Sequence, residues 1–437
     1  MKVMKFGGTS VGSAQRMKEV ARLVCNGQKN LIVLSAMSGT TNQLVEISDY
    51  LYKKNSIGAL EIINKLESDY YKVTEELYSI EDFKRKGQDT IKEHFDYIRT
   101  FANNIFTVFE EKIILAQGEL ISTALFNNYL VEQGVKSVLL PALEFVKTDK
   151  NGEPDTFFIQ TELAKQLTAN ADADLWITQG YICRNFYGEI DNLQRGGSDY
   201  TASLLGAAGK MEEIQIWTDI DGIHNNDPRV VDNTKPVANL HFEEAAELAY
   251  FGAKILHPTC ILPAKLANIP VRLLDTMKPD APGTIIQNEC RLHKIEAVAA
   301  KDNIIAIKIK SGRMLLAYGF LRKVFEIFES YQTPIDMITT SEVGVSVTID
   351  NAKHLDEIVN DLKKFGTVTL DKNMVIICVV GDMNFENVGF PSKVVNALKD
   401  IPVRMISYGG SNYNISFLVK GEDKNRALKA LSNELFQ

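Results

Sequence analysis

The sequence predicts an α/β protein in which a mainly parallel central sheet lies between helix layers and is followed by two smaller α+β modules. Over residues 1 to about 290, short apolar runs alternate with helical patterns, which is typical of a parallel sheet covered on both faces. Beyond residue 290 the pattern changes, and a unit of about 70 residues repeats. The chain has 437 residues, 45% of them hydrophobic and 24% charged, which is ordinary globular composition and enough for about three domains.

Six apolar runs of the first part predict strands, and helical patterns lie between them. The predicted strands are Val3–Phe6, Leu31–Ala36, Ser137–Pro141, Leu175–Ile182, Ile214–Thr218 and Val271–Leu274. The predicted helices are 13–26, 118–133, 198–209, 242–251 and 258–268. Residues 42–112 are polar, helical in pattern and poor in strand signals, so we expect a helical excursion on the sheet that serves as a lid or an interface.

An internal repeat marks the C-terminal part of the chain. Gly319-Phe320 followed by Val324 recurs as Gly389-Phe390 followed by Val394, at an offset of 70. Each copy predicts a strand, a Gly-Phe turn, an amphipathic helix and two further strands. The predicted domains are therefore 1–290 and 291–437, with modules at approximately 300–370 and 371–437. From the residues alone, a purely structural duplication and a ligand-binding regulatory pair are equally favoured.

Charge and cysteine content argue against several classes of protein. Lys plus Arg number 48 and Asp plus Glu 56, a net charge of −8 that argues against a nucleic-acid-binding protein. The five cysteines form no CxxC pair, which indicates reduced thiols in a cytoplasmic protein. The longest apolar run, Met374–Val380, is too short to cross a bilayer, and no HExxH pattern indicates a zinc site. We therefore expect no membrane segment, no protein-held metal and no nucleic-acid partner.

Two loops that follow predicted strands carry glycine and hydroxyl residues. Lys5 to Ser10 reads KFGGTS, in which the paired glycines let backbone N–H groups approach an anion while Lys5 supplies a full charge. By itself, this motif is explained more often by a plain strand–helix turn. Residues 35–42 read SAMSGTTN, at the sheet edge where ligands of open α/β sheets bind, and they also suit an N-cap for the next helix.

Two further motifs open helices. In residues 117–122, QGELIS, Glu119 is either a helix-start residue favoured by the helix dipole or the partner of a substrate ammonium. In residues 195–201, RGGSDYT, Arg195 can hold a carboxylate with two hydrogen bonds, the glycines expose backbone donors, and Asp199 lies in the first helical turn. This combination favours a functional site over a plain helix start.

The last two motifs lie in the second half of the predicted sheet domain. Residues 217–229, WTDIDGIHNNDPR, follow a strand and consist of turn-forming residues, which a long polar turn also explains. Residues 251–258, FGAKILHP, place the basic Lys254 before a new helix. His257 is more readily a structural histidine than a catalyst, because Pro258 starts a helix beside it.

In this order, the six motifs resemble those of the aspartate kinases of the amino-acid kinase superfamily, and the match extends almost from end to end. The resemblance is closest to the monofunctional, lysine-sensitive type with two C-terminal ACT modules. It implies an amino-acid kinase fold, followed by two interleaved, ferredoxin-like ACT modules. In this family the first module is typically completed by a strand from the far end of the chain.

The resemblance also implies the reaction, which is ATP-dependent phosphorylation of the side-chain carboxylate of L-aspartate, with Mg²⁺ bridging the β- and γ-phosphates. Lys5 would contact the transferring phosphoryl group and Asp199 would orient it. The implied L-aspartate site consists of Thr41, Glu119, Arg195, Gly196, Gly197 and Ser198. The implied nucleotide site consists of Lys5, Phe6, Gly7, Gly8, Thr218, Asp219, His224, Arg229, Lys254 and Ile255.

Regulation by lysine, in a homodimer or higher oligomer assembled through the ACT modules, is a further implication. The implied effector residues are Met314, Gly319, Leu321, Asp336, Thr340, Ser341 and Glu342, with Asp336 and Glu342 receiving an ammonium group. Ala317 stands where the family usually has a hydroxyl, so threonine or no effector stays open. His224, Gln194 and Tyr181 also depart from the family pattern. A kinase for another amino acid, such as glutamate, and a non-catalytic amino-acid sensor are the alternatives.

Overall fold

The computed structural model describes residues 1–193, 196–252, 256–289, 294–312 and 318–436. The chain forms two compact units, which are described separately below. The first unit comprises Met1–Ile223 and Leu256–Asn288, and the second comprises His224–Ile255 and Glu289–Gln437. Residues 224–255 thus group with the C-terminal part of the chain. The single domain boundary near residue 290 stays a prediction.

Strands and helices are numbered in chain order. The strands are β1 (Lys2–Phe6), β2 (Asn30–Leu34), β3 (Ser137–Leu140), β4 (Leu175–Gln179), β5 (Ile182–Arg184), β6 (Ile190–Asn192), β7 (Ile214–Thr218), β8 (Asn239–His241), β9 (Val271–Asp275), β10 (Thr284–Gln287), β11 (Ile295–Lys310), β12 (Ile338–Ser341), β13 (Gly344–Ile349), β14 (Thr367–Gly381), β15 (Val403–Tyr408) and β16 (Asn414–Lys420). The α-helices are α1 (Ala14–Val24), α2 (Thr40–Tyr52), α3 (Ser56–Leu77), α4 (Glu81–Thr100), α5 (Val108–Glu132), α6 (Ala142–Phe145), α7 (Thr156–Ala169), α8 (Gly197–Ala208), α9 (Phe242–Tyr250), α10 (Leu262–Leu266), α11 (Phe320–Ser330), α12 (Leu355–Leu362), α13 (Phe390–Ala397) and α14 (Lys424–Leu435).

The sheet of the first unit has the strand order β3-β4-β2-β1-β7-β9-β10. Its pairs are parallel except for β9 with β10, which confirms the predicted mainly parallel sheet. Every residue of β2 is buried, as expected for a strand covered by helices on both faces. The carboxyl ends of β1, β2, β4 and β7 therefore meet at one edge, where the loops with the functional motifs begin.

The helical excursion predicted for residues 42–112 is present as α2, α3 and α4, whose apolar faces join the core of the first unit. Helix α5 begins ten residues earlier than the predicted start at 118. A capping box explains this start. The Thr107 side chain accepts a hydrogen bond from a backbone N–H of the first turn, and the Glu110 side chain accepts one from the Thr107 N–H. Helix α7 was not predicted, although Asp155 caps it and Ile159 and Leu163 form its buried stripe.

The second unit contains a six-stranded sheet in the order β12-β13-β11-β14-β16-β15, with antiparallel pairs throughout. The predicted repeat is confirmed. Gly319, with φ of 79°, precedes α11, and Gly389, with φ of 92°, precedes α13. A left-handed backbone favours glycine at both positions, which explains why Gly-Phe recurs at the start of each helix.

The two modules share strand β11, which is 16 residues long. Its first half places Ile295 and Val298 in the core of the second module, and its second half places Ile305 and Ile307 in the core of the first. The expectation that a strand from the far end of the chain completes the first module is therefore wrong. The second module is instead completed by the start of β11, because a strand of this length reaches across both cores.

We find no helix among the described residues that combines the length and the apolar composition needed to span a bilayer.

Candidate active site

The turn after β1 passes very close to the loop after β2. A Cβ atom on Gly8 would lie 2.9 Å from the Ala36 carbonyl oxygen, so this approach requires glycine. The Ser38 N–H donates to the Gly8 carbonyl at 3.1 Å and joins the two loops. The Gly7 N–H donates a hydrogen bond to the Trp217 carbonyl at 3.3 Å. The prediction that this N–H donates to a phosphate of the nucleotide therefore conflicts with its bond to β7.

Lys5 and Asp199 form an ion pair at this edge of the sheet. The Lys5 Nζ atom lies 2.7 Å from Asp199 Oδ1, and the two side chains are only 11% and 16% exposed. Lys5 is the last residue but one of β1, while Asp199 lies in the first turn of α8. A Cβ atom on Gly7 would lie 3.5 Å from the ammonium, in ordinary van der Waals contact, so the Gly-Gly turn runs directly beside Lys5. The structure thus brings together the two predicted catalytic residues.

The start of α8 packs tightly against the end of β4. A Cβ atom on Gly180 would lie 2.6 Å from Ser198 Cβ, and one on Gly197 would lie 2.5 Å from Tyr181 Cδ2. Tyr181 has a φ of 69°, and its N–H donates to Thr201 Oγ1 at 3.0 Å. The sequence showed Tyr181 only as a mild departure from a common Phe. Its left-handed backbone positions the helix that carries Asp199 and was not predicted.

Glu119 is a buried carboxylate with one open oxygen. Its residue is 3% exposed, and Oε1 accepts the Ala36 N–H at 3.1 Å. Within the part of the chain that the structure describes, Oε2 is buried and has no hydrogen-bond partner. Burial raises the pKa of Glu119 to about 7, against the opposing effect of the Ala36 hydrogen bond. A buried acceptor without a partner suits a ligand that brings a cationic donor.

Several hydroxyl groups lie on the loop after β2, whose Ala36 N–H binds Glu119, and on the helices that this loop contacts. Thr41, the predicted ligand, is partly buried in the first turn of α2. Its neighbour Thr40 is buried and shares a 2.9 Å hydrogen bond with the hydroxyl of Tyr70. Ser35 Oγ donates to Ser198 Oγ at 2.9 Å, which links the loop after β2 to the start of α8. The sequence analysis missed Thr40 and Tyr70, because the approach of α3 to this loop is a tertiary feature.

The predicted nucleotide residues divide between the two units. In the first unit, Thr218 ends β7, and its hydroxyl donates to Asp219 Oδ1 at 3.1 Å. Phe6 is fully buried and its side chain stacks on Trp217 in the core, so the predicted nucleotide contact of Phe6, which stays a prediction, would have to use its backbone. In the second unit, His224 Nδ1 lies 2.8 Å from Thr234 Oγ1.

Arg229 is already engaged by a neighbouring carboxylate in the second unit. Its guanidinium makes two hydrogen bonds to Asp227, of 2.9 and 2.8 Å, while the side chain is 84% exposed. The pKa of Asp227 is lowered, mainly by these side-chain bonds. To contact a phosphate, Arg229 would therefore have to leave Asp227 or bind Asp227 and the phosphate at the same time.

Comparison with known proteins identifies the family. The sequence profile of the amino acid kinase family matches residues 1–275, and an ACT domain profile matches residues 377–435. Aspartokinase 1, chloroplastic, of Arabidopsis thaliana is 36% identical in a match that covers 100% of this chain and 80% of the relative. Lysine-sensitive aspartokinase 3 of Escherichia coli (strain K12) is 33% identical, with 100% and 99% covered. The chain belongs to the aspartokinases of the amino acid kinase family. The predicted resemblance is confirmed.

Solved aspartokinase structures have the same fold. E. coli aspartokinase III in complex with aspartate and ADP, in the R-state, matches with a TM-score of 0.84 and 32% identity, and 100% of both chains is covered. The same protein in complex with lysine and aspartate, in the T-state, matches with a TM-score of 0.85, again at 32% identity and with 100% of both chains covered. The predicted architecture of an aspartokinase, with a kinase sheet followed by ACT modules, is therefore confirmed.

Several predicted aspartokinase residues lie outside the described residues. They are Arg195, Lys254, Ile255 and Met314, together with the departures noted at Gln194 and Ala317. Their roles stay predictions. His257 is described and exposed, and its Nδ1 lies 2.7 Å from Thr259 Oγ1 at the start of the next helix. This contact agrees with the structural interpretation of His257.

The predicted effector residues of the aspartokinase are spread along the first module. Gly319 and the partly exposed Leu321 begin α11, while Thr340, Ser341 and Glu342 are exposed near the turn between β12 and β13. Asp336 lies at the opposite end of this hairpin, where its N–H donates to the Thr348 carbonyl. Ser341 follows Asp336 by five positions of nearly extended chain, which corresponds to a distance of roughly 16 Å along the strand. Asp336 and Glu342 therefore lie at opposite ends of the hairpin within one protomer, and their effector roles stay predictions.

Proposed function

We propose that this protein transfers the γ-phosphoryl group of ATP to the side-chain carboxylate of L-aspartate. The product is 4-phospho-L-aspartate, the first intermediate in the synthesis of lysine, threonine and methionine. The observation that carries the proposal is the open oxygen of buried Glu119, in the same unit as the Lys5–Asp199 pair. The curated relatives named above are aspartokinases, and the E. coli structure contains aspartate and ADP.

Recognition of an amino acid follows from the charges of the site. Glu119 Oε2 accepts the α-ammonium of the substrate, which satisfies a carboxylate oxygen that is otherwise buried without a donor. Arg195 holds the α-carboxylate in this proposal, and Thr41, Gly196, Gly197 and Ser198 position the rest. A simple dicarboxylate would leave Glu119 buried without a cationic partner, so the site selects amino acids over dicarboxylates.

The reaction needs positioning and charge neutralisation more than covalent chemistry. A side-chain carboxylate oxygen of L-aspartate attacks the γ-phosphorus, an O–P bond forms, and the bond from that phosphorus to the β–γ bridging oxygen breaks. ADP leaves with the bonding electrons. No general base is required, because the attacking carboxylate is ionised at neutral pH. Lys5 offsets the negative charge on the phosphoryl oxygens, and Asp199 holds the Lys5 ammonium in place.

ATP is proposed to act with Mg²⁺. Mg²⁺ commonly binds through substrate phosphates and water with few protein ligands. Among the described residues there is no group of three or more His, Cys, Asp or Glu side chains that could hold a metal, so we assign the ion to the ATP phosphates rather than to a protein cage. Thr218 and Asp219 at the end of β7, with His224, Arg229, Lys254 and Ile255, remain our proposed nucleotide residues.

We further propose feedback inhibition by lysine in a homodimer or higher oligomer joined through the ACT modules. The E. coli relative is named lysine-sensitive, and its T-state structure contains lysine. Threonine is the competing effector to be tested. We also propose that the protein works in the cytoplasm, where Cys25, Cys183, Cys260 and Cys378 would stay reduced, as they are in this structure.

Trapping of the acyl phosphate tests the proposed reaction. The wild-type protein is incubated with Mg·ATP, hydroxylamine and either L-aspartate, L-glutamate or succinate, and the hydroxamate is measured. We expect hydroxamate with L-aspartate and little with the other two acids. Hydroxamate mainly with L-glutamate would indicate a kinase for another amino acid, and none with any acid would favour a non-catalytic sensor.

A further inference from the structure

A polar cluster around one buried carboxylate joins α9 to the first ACT module in the second unit, with its outer members Tyr250 and Asp350 exposed. We define the Asp336 cluster as Tyr250, Lys301, Asp336 and Asp350. The Lys301 ammonium lies 2.6 Å from Asp336 Oδ1 and 2.9 Å from Asp350 Oδ2. The Tyr250 hydroxyl donates to the same Asp336 oxygen at 2.7 Å, and the Lys301 ammonium lies 4.2 Å from the centre of the Tyr250 ring.

Asp336 is closed off from solvent by these neighbours. Its side chain is 1% exposed, and that of Lys301 is 17% exposed. Its second oxygen, Oδ2, is buried and has no hydrogen-bond partner among the described residues. A ligand from solvent therefore reaches this carboxylate only if a member of the cluster moves.

The group that holds Asp336 is a primary ammonium on a four-carbon chain. A free lysine carries the same group, and the family resemblance assigns an effector ammonium to Asp336. Burial lowers the pKa of Lys301, but the hydrogen bonds to Asp336 and Asp350 outweigh this effect and leave the pKa raised, so the side chain stays charged. Two cations cannot both take the same position beside Asp336 Oδ1, because like charges at contact distance repel each other.

We propose that Lys301 occupies the effector's ammonium position at Asp336, so that an amino-acid effector binds this carboxylate only by displacing Lys301. This inference rests on the regulatory part of the proposed function. Displacement would also disturb the hydroxyl contact of Tyr250, the last residue of α9. Helix α9 belongs to the same segment, residues 224–255, as the nucleotide candidates His224 and Arg229.

Thermal unfolding of Lys301→Met tests the proposal independently of activity. Methionine keeps the length of the side chain and its packing on Tyr250, but it leaves Asp336 without a cation. We expect the unfolding temperature to fall by roughly 5–10 °C without ligand. Saturating L-lysine should restore at least about half of this loss, and it should shift the wild type less. Lys310→Met, at the exposed end of the same strand, is the matched control and should behave like the wild type.

Inhibition measurements supply the second readout. Lysine should inhibit Lys301→Met at a concentration about tenfold lower than it inhibits the wild type, because no internal cation competes. If Lys301→Met does not fold, Tyr250→Phe replaces it, because this change removes only the hydroxyl contact. Tyr250→Phe should also be inhibited at a lower lysine concentration than the wild type, by a smaller factor than Lys301→Met.

Equal lysine responses in the wild type, Lys301→Met and Tyr250→Phe would overturn the proposal. A weaker lysine response in Lys301→Met than in the wild type would overturn it as well. The proposed reaction fails separately, if the wild type forms no aspartyl hydroxamate in the absence of lysine. The unfolding measurement still decides the role of Lys301 in that case, since it does not depend on turnover.

Discussion

The Lys5 ammonium lies 2.7 Å from the Asp199 carboxylate, although the two residues are 194 positions apart in the sequence. Strand β1 places Lys5 at the carboxyl edge of the sheet, and Asp199 lies beside it in the first turn of α8. Both side chains are mostly buried, so their mutual attraction is weakly screened by solvent. This pair gives the site a cation with a fixed position.

Replacement of Asp199 should reduce turnover more than substrate binding. In Asp199→Asn, the Lys5 ammonium loses the charge that orients it, and we expect kcat to fall about a hundredfold with a smaller change in KM. Hydroxamate formation at varied L-aspartate measures both constants. Asp172→Asn, at an exposed carboxylate of the same unit, is the control. A KM effect larger than the kcat effect would mean that Asp199 acts in binding.

Loss of the Glu119 charge should weaken binding of L-aspartate. Glu119→Gln keeps an oxygen for the Ala36 N–H but presents no anion to the substrate ammonium. We expect the KM for L-aspartate to rise about a hundredfold, with a smaller effect on the KM for ATP. Initial rates at varied concentrations of each substrate test this difference. Glu61→Gln, on the exposed face of α3, should change neither constant.

The pH dependence of aspartate binding follows from the same residue. Burial raises the pKa of Glu119 to about 7 in the free protein, and only the ionised form receives an ammonium well. The KM for L-aspartate should therefore be constant above pH 7 and rise about tenfold per unit as the pH falls below 7. In Glu119→Gln this dependence should disappear. A wild-type KM that stays constant from pH 8 to pH 5.5 would contradict the assignment.

Glu244 should make the folded protein less stable at high pH. Its burial raises its pKa to about 7, with a further contribution from Glu296 and Asp382. The folded state therefore binds more protons than the unfolded state between pH 4.5, the ordinary pKa of a glutamate, and pH 7, so stability falls as the pH rises through this range. Glu244→Gln should increase the free energy of unfolding by about 1–2 kcal/mol at pH 8 and very little at pH 4.

Denaturant unfolding at the two pH values measures the effect of Glu244→Gln. Glutamine can keep the capping contact to His241, so loss of the helix cap should not mask the gain. Glu386→Gln, at an exposed position of the same unit, is the control. An equal gain at pH 4 and pH 8 would point to a packing effect instead of titration.

The arrangement of Lys5 and Asp199 could be predicted because both belong to short motifs at a strand end or a helix start, where parallel topology brings residues together. The open oxygen of Glu119 could not be predicted, since it depends on α5 burying one carboxylate oxygen beside Ala36 while giving no donor to the other. The QGELIS motif indicated the residue, but the packing determines its electrostatics.

Pairs between distant segments account for the other differences. Nothing in the sequence around Asp336 shows that Lys301, 35 residues earlier, already holds its carboxylate. Likewise, the sequence did not show that β11 serves both modules, because this follows only from the two separate cores to which its halves contribute. The early start of α5 is different, because the Thr107 and Glu110 capping box was readable in the sequence.

The hydroxylamine assay on Lys5→Ala beside the wild type tests the central claim most directly. We expect the variant to keep its circular dichroism spectrum and lose at least about a thousandfold in aspartyl hydroxamate formation, because no other group replaces the cation at the phosphoryl position. A folded Lys5→Ala protein that retained a tenth or more of the wild-type rate would contradict the account.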